Sequence, residues 1–156
     1  MVLYHFKFKT NIGYLYFLAS DKSLLSLSFK KKKIFDPVEK KINPIIKETK
    51  NQIKFYMKGK LINFSIPLNP KGTLFQRKVW GEIKKIKWGK KSTYNELSKK
   101  IFGKKIILGP RAVGNACLHN PIILLIPCHR IISSNGSLGG YNYRLWRKKK
   151  LLSLEK

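Results

Sequence analysis

The run Ile62-Asn63-Phe64-Ser65-Ile66-Pro67-Leu68-Asn69-Pro70-Lys71-Gly72-Thr73-Leu74-Phe75 contains the change of period on which the fold turns. Before Asn69, the apolar residues Ile62, Phe64, Ile66 and Leu68 alternate with period two, the spacing of a half-buried strand. After Gly72 they recur as Phe75, Val79, Ile83 and Ile86, one face of a helix, with Lys78, Glu82 and Lys85 elsewhere around it. Asn69-Pro70-Lys71-Gly72 is made of turn residues and reads as a linker. The 156-residue chain is therefore expected to divide into residues 1–70 and 71–156.

Upstream, the period-two pattern repeats. Tyr4, Phe6 and Phe8 alternate with His5, Lys7 and Lys9; Tyr14, Tyr16 and Leu18 follow the turn signal Thr10-Asn11-Ile12-Gly13; Leu25, Leu27 and Phe29 follow Ser20-Asp21-Lys22-Ser23. This predicts an antiparallel meander with one buried face, ended by Lys30 to Lys33. Asn43-Pro44 predicts a helix start, continued at helical spacing by Ile45, Ile46, Thr49, Ile53, Tyr56 and Met57 and stopped at Gly59. Downstream, Thr93-Tyr94-Asn95-Glu96 has the spacing of a capping box, predicting a helix from near Thr93 to Gly103. Pro110 opens a third helical stretch through Leu118. Strands followed by helices make the fold class α+β.

The composition is 43% hydrophobic, enough for a packed core, and argues against disorder or a fibrous protein. The formal charge of +27 is extreme, +10 of it in residues 1–70 and +17 in 71–156. Such a chain repels itself and predicts a polyanionic partner ahead of an anionic membrane, with the polyanion bound chiefly by the second part. No apolar run approaches the ~20 residues of a membrane-spanning helix, and the start lacks a signal peptide's apolar stretch. Two cysteines make no disulfide scaffold. The expectation is a soluble, intracellular protein with reduced thiols and no membrane partner. The blocks Lys30 to Lys33 and Lys148 to Lys150 are read as solvated faces that attract phosphate without regard to sequence.

The apolar run Ile122-Ile123-Leu124-Leu125-Ile126 reads as a buried strand that delivers Pro127-Cys128-His129-Arg130. Cations beside a thiol favour the nucleophilic thiolate, so the segment fits an activated cysteine held partly ionised. By itself it fits a buried inert cysteine equally well. Cys117, Cys128, His119 and His129 lack the usual spacing of zinc ligands, and no metal or other cofactor is expected.

Taken with Gly136 and Gly139-Gly140-Tyr141, the segment Ile126-Pro127-Cys128-His129-Arg130-Ile131-Ile132 resembles the active-site signature of the O6-alkylguanine-DNA alkyltransferases. Phe75 to Trp80, Ser92 to Leu97, Pro110 to Gly114, Asn120-Pro121 and Leu151 to Glu155 match the same family in its order. The resemblance is close over residues 72–156 and one of layout over the first 70; a lengthened stretch, Lys99 to Leu108, departs from it. It implies a ribonuclease-H-like N-terminal domain and a mainly helical C-terminal domain with a winged helix-turn-helix. The implied partner is double-stranded DNA carrying O6-alkylguanine, met by a monomer that flips the base out and accepts its alkyl group once.

The implied roles are as follows. Cys128 is the acceptor, His129 takes its proton through a water, and Glu155 orients that imidazole. Tyr94 donates to a ring nitrogen of the departing guanine, and Asn120 braces the turn before the nucleophile. Arg111 replaces the extruded base in the stack, with Ala112 and Gly114 allowing close approach of the helix to the minor groove and Arg130 as a further DNA contact. Tyr94, Cys117, Cys128, Ile131, Tyr141 and Asn142 line the base pocket, where the carbonyls of Cys128 and Ile131 accept from the guanine amino group. Two other readings compete: a relative that grips alkylated DNA without transfer, although such relatives lack the cysteine, and a cysteine hydrolase, in which +27 has no role.

Overall fold

A computed structural model of the chain describes residues 1–34, 38–104 and 109–156. The described chain forms two compact units, Met1–Lys71 with Pro121–Ile123, and Gly72–Asn120 with Leu124–Lys156.

In the first unit, β1 (Leu3–Thr10), β2 (Gly13–Ala19) and β3 (Leu24–Ser28) form the expected meander. A short β4 (Val38–Glu39), with no signal of its own in the sequence, pairs parallel with β1, so the sheet order is β3-β2-β1-β4. Phe6 faces Phe17 and Phe8 faces Leu15 across the first hairpin, which places the four on one side. Leu15 and Phe17 are fully buried there. Helix α1 (Pro44–Met57) begins at Asn43, whose side chain accepts from the Ile46 amide. Its Ile46, Ile53 and Tyr56 are buried.

The period-two stretch from Ile62 to Leu68 is not a strand; it makes one bridge, Leu24 to Leu68. Pro67 has no amide to give to a ladder, and Ser65 is tied instead to the Gln52 side chain, its amide donating to Gln52 Oε1 at 2.9 Å.

In the second unit, α2 (Leu74–Lys84) starts at a capping box of Thr73 and Gln76 and buries Val79, Trp80 and Ile83. Trp80 Nε1 donates to the Ala116 carbonyl at 2.8 Å, joining α2 to α4 (Gly109–Leu118). Between them, β5 (Ser92–Thr93) runs into α3 (Tyr94–Phe102). Helices α3 and α4 cross closely at Gly109, where a β-carbon would lie 1.9 Å from Ser98 Oγ. The Lys99 to Leu108 departure falls partly outside the described residues, at 105–108. After α4 come a 3-10 turn at Cys128–Arg130, β6 (Ile131–Ile132), which pairs parallel with β5, and α5 (Leu145–Leu154).

The strand expected over Ile122 to Ile126 is absent. Ile122 makes a single bridge to Leu27, residues 123–125 turn, and Leu124 takes a left-handed φ of 69°. All five side chains are buried. Pro121–Ile123 joins the first unit, the Leu27 amide donating to the Pro121 carbonyl at 2.8 Å, and Leu124 onward belongs to the second. A run serving two cores reads as uniformly apolar but cannot stay straight. Among the described residues no helix is long and apolar enough to cross a membrane.

Candidate active site

Cys128 opens the 3-10 turn and is 7% exposed. It lines a pocket of about 180 Å³ together with Tyr94, Gly114, Cys117, Leu118, Gly140, Tyr141, Asn142 and Tyr143. The sulfur is thus carried on a buried turn yet borders a hollow. Asn120 Nδ2 donates to the Ile126 carbonyl at 2.8 Å and to Cys128 Sγ at 3.2 Å, so one amide holds both the turn and the nucleophile.

The residues that follow Cys128 in its turn enter a buried polar cluster. His129 is fully buried, and its Nε2 lies 2.8 Å from Glu155 Oε1. A carboxylate only accepts, so Nε2 carries the proton and the neutral ring presents its lone pair at Nδ1. Nδ1 is buried with no hydrogen-bond partner among the described residues, the arrangement a proton acceptor requires. Burial keeps the imidazole below its usual pKa, outweighing the opposite pull of Glu155.

Arg130, expected on DNA, is not available to it. It is 6% exposed, grips Glu155 through Nε at 2.9 Å and Nη2 at 2.8 Å, and donates from Nη1 to the Ile86 carbonyl. Its charge is spent on fixing the carboxylate that fixes His129.

The thiol is not ionised by its neighbours at rest, contrary to the sequence-based expectation. Burial pushes the Cys128 pKa up, and the Asn120 hydrogen bond and the Lys148 charge only partly offset it. His129 is neutral and Arg130 is cancelled by Glu155, so neither residue supplies the cation that adjacency in sequence implied. Cys117, on α4, is also raised by burial and is a neutral thiol in the pocket wall.

Tyr94 is the first residue of α3, directly after the Thr93 cap. Burial, then the thiols of Cys117 and Cys128, push its hydroxyl up to about 12, so it is a proton donor at neutral pH. Its ring lies against Gly114 and Gly139. An open groove of about 340 Å³ shares Tyr94, Gly114 and Gly140 with the pocket and runs past Asn95, Pro110 and Arg111 to Ser133 and Ser134. Arg111 is exposed on α4, with Ala112 and Gly114 half-buried beside it.

Tyr141 and Asn142 border the pocket as expected, and Asn142 Nδ2 ties to the Leu118 carbonyl at 3.0 Å. Ile131 does not line it: its side chain is fully buried and its carbonyl already accepts from Lys148 Nζ. Lys148, expected in solvent, is fully buried; Lys149 and Lys150 are exposed. Sequence reasoning also misses Tyr143, whose ring meets Tyr141 edge-on at 5.8 Å. A signal for Lys148 does exist: Lys148, Leu151 and Glu155 are spaced i, i+3, i+7, one face of α5.

Comparison with known proteins is consistent along the whole chain. The family model for the 6-O-methylguanine DNA methyltransferase, DNA binding domain, matches residues 74–156, and that for the ribonuclease-like domain of the same methyltransferase matches residues 3–70. A methylated-DNA--protein-cysteine methyltransferase of Methanosarcina acetivorans is 38% identical, covering 98% of each chain. One from Haemophilus influenzae is 35% identical over 99% of this chain and 87% of its own. The crystal structure of Mycobacterium tuberculosis OGT in complex with DNA superposes with a TM-score of 0.88 at 30% identity, covering 97% of this chain and 92% of that one.

Proposed function

The chain belongs to the 6-O-methylguanine DNA methyltransferase family, and from that premise we propose how its own residues carry out direct reversal of alkylation damage. It binds DNA, and its reaction is alkyl transfer to a cysteine of the protein itself; the finer reading takes O6-alkylguanine in a duplex as substrate, Cys128 as acceptor and a monomer as the acting species. The observation that carries this reading is a sulfur bordering a pocket, followed in the chain by a buried neutral imidazole, His129, that the Glu155 carboxylate holds.

Groove and pocket meet at Tyr94, so a duplex lying along α4 at Arg111 would deliver an extruded base past that ring. Small Ala112 and Gly114 let the helix approach the minor groove. As Cys128 Sγ bonds to the alkyl carbon, the bond from that carbon to O6 breaks and its electron pair stays on the guanine. The thiol proton passes to His129 Nδ1, directly or through one water, and Glu155 stabilises the imidazolium that forms. The Tyr94 hydroxyl donates to the purine so that it does not leave as a bare anion. The product is a thioether, which has no good leaving group, so each molecule acts once.

The test is stoichiometric. Protein mixed with excess duplex containing O6-methylguanine takes up one methyl group per molecule, on the peptide containing Cys128, and Cys128→Ser abolishes it while still binding the duplex. Methyl loss beyond one per protein indicates a hydrolytic or turnover enzyme and overturns the reading. Tight binding with an unmodified Cys128 peptide leaves only a binding module.

A further inference from the structure

Lys148 stands in the basic run Arg147 to Lys150 and is fully buried. Its Nζ donates to the Ile131 carbonyl and, at 3.1 Å, to the Gly140 carbonyl. Ile131 immediately follows the turn that carries Cys128, and Gly140 borders the pocket. Among the described residues Lys148 forms no ion pair with a carboxylate; Glu155, on the same face of α5, is engaged by His129 and Arg130. A buried ammonium hydrogen-bonded to carbonyls alone is costly, and an anion arising nearby would offset that cost.

Both carbonyls belong to the surroundings of Cys128: Ile131 follows its turn, and Gly140 lines the pocket that Cys128 and Cys117 share. Burial pulls the ammonium below the usual lysine value, and Cys128 and then Cys117 would pull it back once ionised. From the side of Cys128, its own neighbours cancel or are neutral: His129 is uncharged, Arg130 is matched by Glu155, Asn120 is a neutral donor, and Tyr94 and Cys117 keep their protons at neutral pH. Lys148 is the formal charge left over.

We propose that Lys148 is a positioning residue for the transfer, its ammonium tied between the Ile131 and Gly140 carbonyls as the fixed countercharge that Cys128 Sγ meets when its proton leaves. The proposal rests on Cys128 being the acceptor. At rest the site holds a neutral thiol and an uncompensated cation; deprotonation by His129 converts this into an ion pair at the moment of attack. Preorganised charge of this kind acts most strongly on the state in which the opposite charge develops. The same ammonium also links the strand after the nucleophile to the loop that closes the pocket.

The experiment is the pH profile of Cys128 alkylation by iodoacetamide without DNA, resolved from Cys117 by peptide mass, with methyl transfer from duplex measured in parallel. Lys148→Met raises the midpoint by a unit or more, so both reactions slow about tenfold at neutral pH and approach wild type at high pH. Lys148→Gln keeps two N–H donors for the carbonyls but no charge, and follows Lys148→Met. A Lys148→Met profile that superimposes on wild type overturns the proposal, as does full recovery in Lys148→Gln, which would leave only a structural tie. Should neither variant fold, the wild-type protein decides: the Lys148 Nζ resonance shows a step at the pH where Cys128 ionises, absent after Cys128 is methylated, and a wild type lacking that step refutes the idea. Wild-type protein that takes no methyl from duplex refutes the acceptor reading itself, whatever Lys148 does.

Discussion

His129 exemplifies how a residue can be legible as chemistry and illegible as environment. Its adjacency to Cys128 marks it as a base, but adjacency also makes it look like a cation. Burial decides otherwise, because an imidazolium loses its hydration there while one carboxylate, itself held by Arg130, returns only part of it. The consequence reaches stability. A folded-state pKa held below that of the unfolded chain means that the unfolded state binds a proton first as pH falls, so stability declines below about 6.5, with a slope of at most about 1.4 kcal/mol per pH unit for the one group. His5, lowered by partial burial and by Lys31 and Lys40, contributes with the same sign. Urea unfolding at several pH values between 7 and 5.5 reads this directly: His129→Gln is less stable than wild type at pH 7 but loses less on acidification, whereas His5→Gln keeps most of the slope. An unchanged slope in His129→Gln would mean that the imidazole is charged when folded. Arg130 and Lys148 mislead for the converse reason. A basic residue is taken as solvated unless its helical phase is followed, and only the phase of Lys148 with Leu151 and Glu155 shows which member of the run faces inward.

Elements place Tyr94, and here local chemistry is readable. Thr93 Oγ1 accepts from the Glu96 amide at 3.1 Å, and Glu96 Oε2 accepts from the Thr93 amide at 2.9 Å and from Ser92 Oγ at 2.8 Å, so the capping box starts α3 with its tyrosine in the first turn. The pairing of β5 with β6 ties that start to the residues after the nucleophile. The equivalent box at Thr73 and Gln76 is equally present in the sequence, although the apolar period alone suffices to locate that helix. Strands are harder to read: Ile62 to Leu68 and Ile122 to Ile126 have β-like composition, but ladder pairing depends on partners far away in the chain. The loop opposite Tyr94 gives a test of how tightly the ring is held. Gly139 has φ +68°, and a β-carbon there would lie 3.2 Å from Tyr94 Cε2 and 3.4 Å from its hydroxyl; at Gly140 nothing lies within 4 Å. Gly139→Ala is therefore expected to cost about 1–2 kcal/mol from the left-handed backbone alone and to displace the hydroxyl, slowing methyl transfer. Gly140→Ala is expected to change stability by less than about 0.5 kcal/mol. Equal thermal shifts in the two variants would show that the loop yields and that Tyr94 is not clamped.

Across the whole molecule, charge sets two responses to salt that run in opposite directions. The chain carries 34 lysines and arginines against 7 acidic residues, so an excess of 27 remains even with every acidic residue paired, as Glu155 is with Arg130 and Glu82 with Lys85. Most of the +27 is therefore exposed self-repulsion, which the unfolded chain relieves by expanding. Added salt shortens the screening length from roughly 30 Å at 0.01 M to about 8 Å at 0.15 M, so the folded state gains. DNA binding behaves the other way, because each phosphate contact releases condensed counterions and the logarithm of affinity falls by about 0.9 per contact for each tenfold rise in salt. The division of charge, legible in the residues alone as +10 and +17, says that both responses involve both parts of the chain; the fold adds that the parts are not two consecutive segments, because Pro121–Ile123 returns to the first unit. Raising sodium chloride from 0.02 to 0.3 M is thus expected to increase the melting temperature of the free protein by several degrees while duplex affinity drops by orders of magnitude. Replacing Lys30 to Lys33 by glutamine should raise the low-salt melting temperature and flatten its salt dependence, while leaving the methyl-transfer rate at saturating duplex unchanged. Melting temperatures that fall with salt in parallel with affinity would mean that the excess charge is compensated within the fold, and that self-repulsion is not what salt relieves.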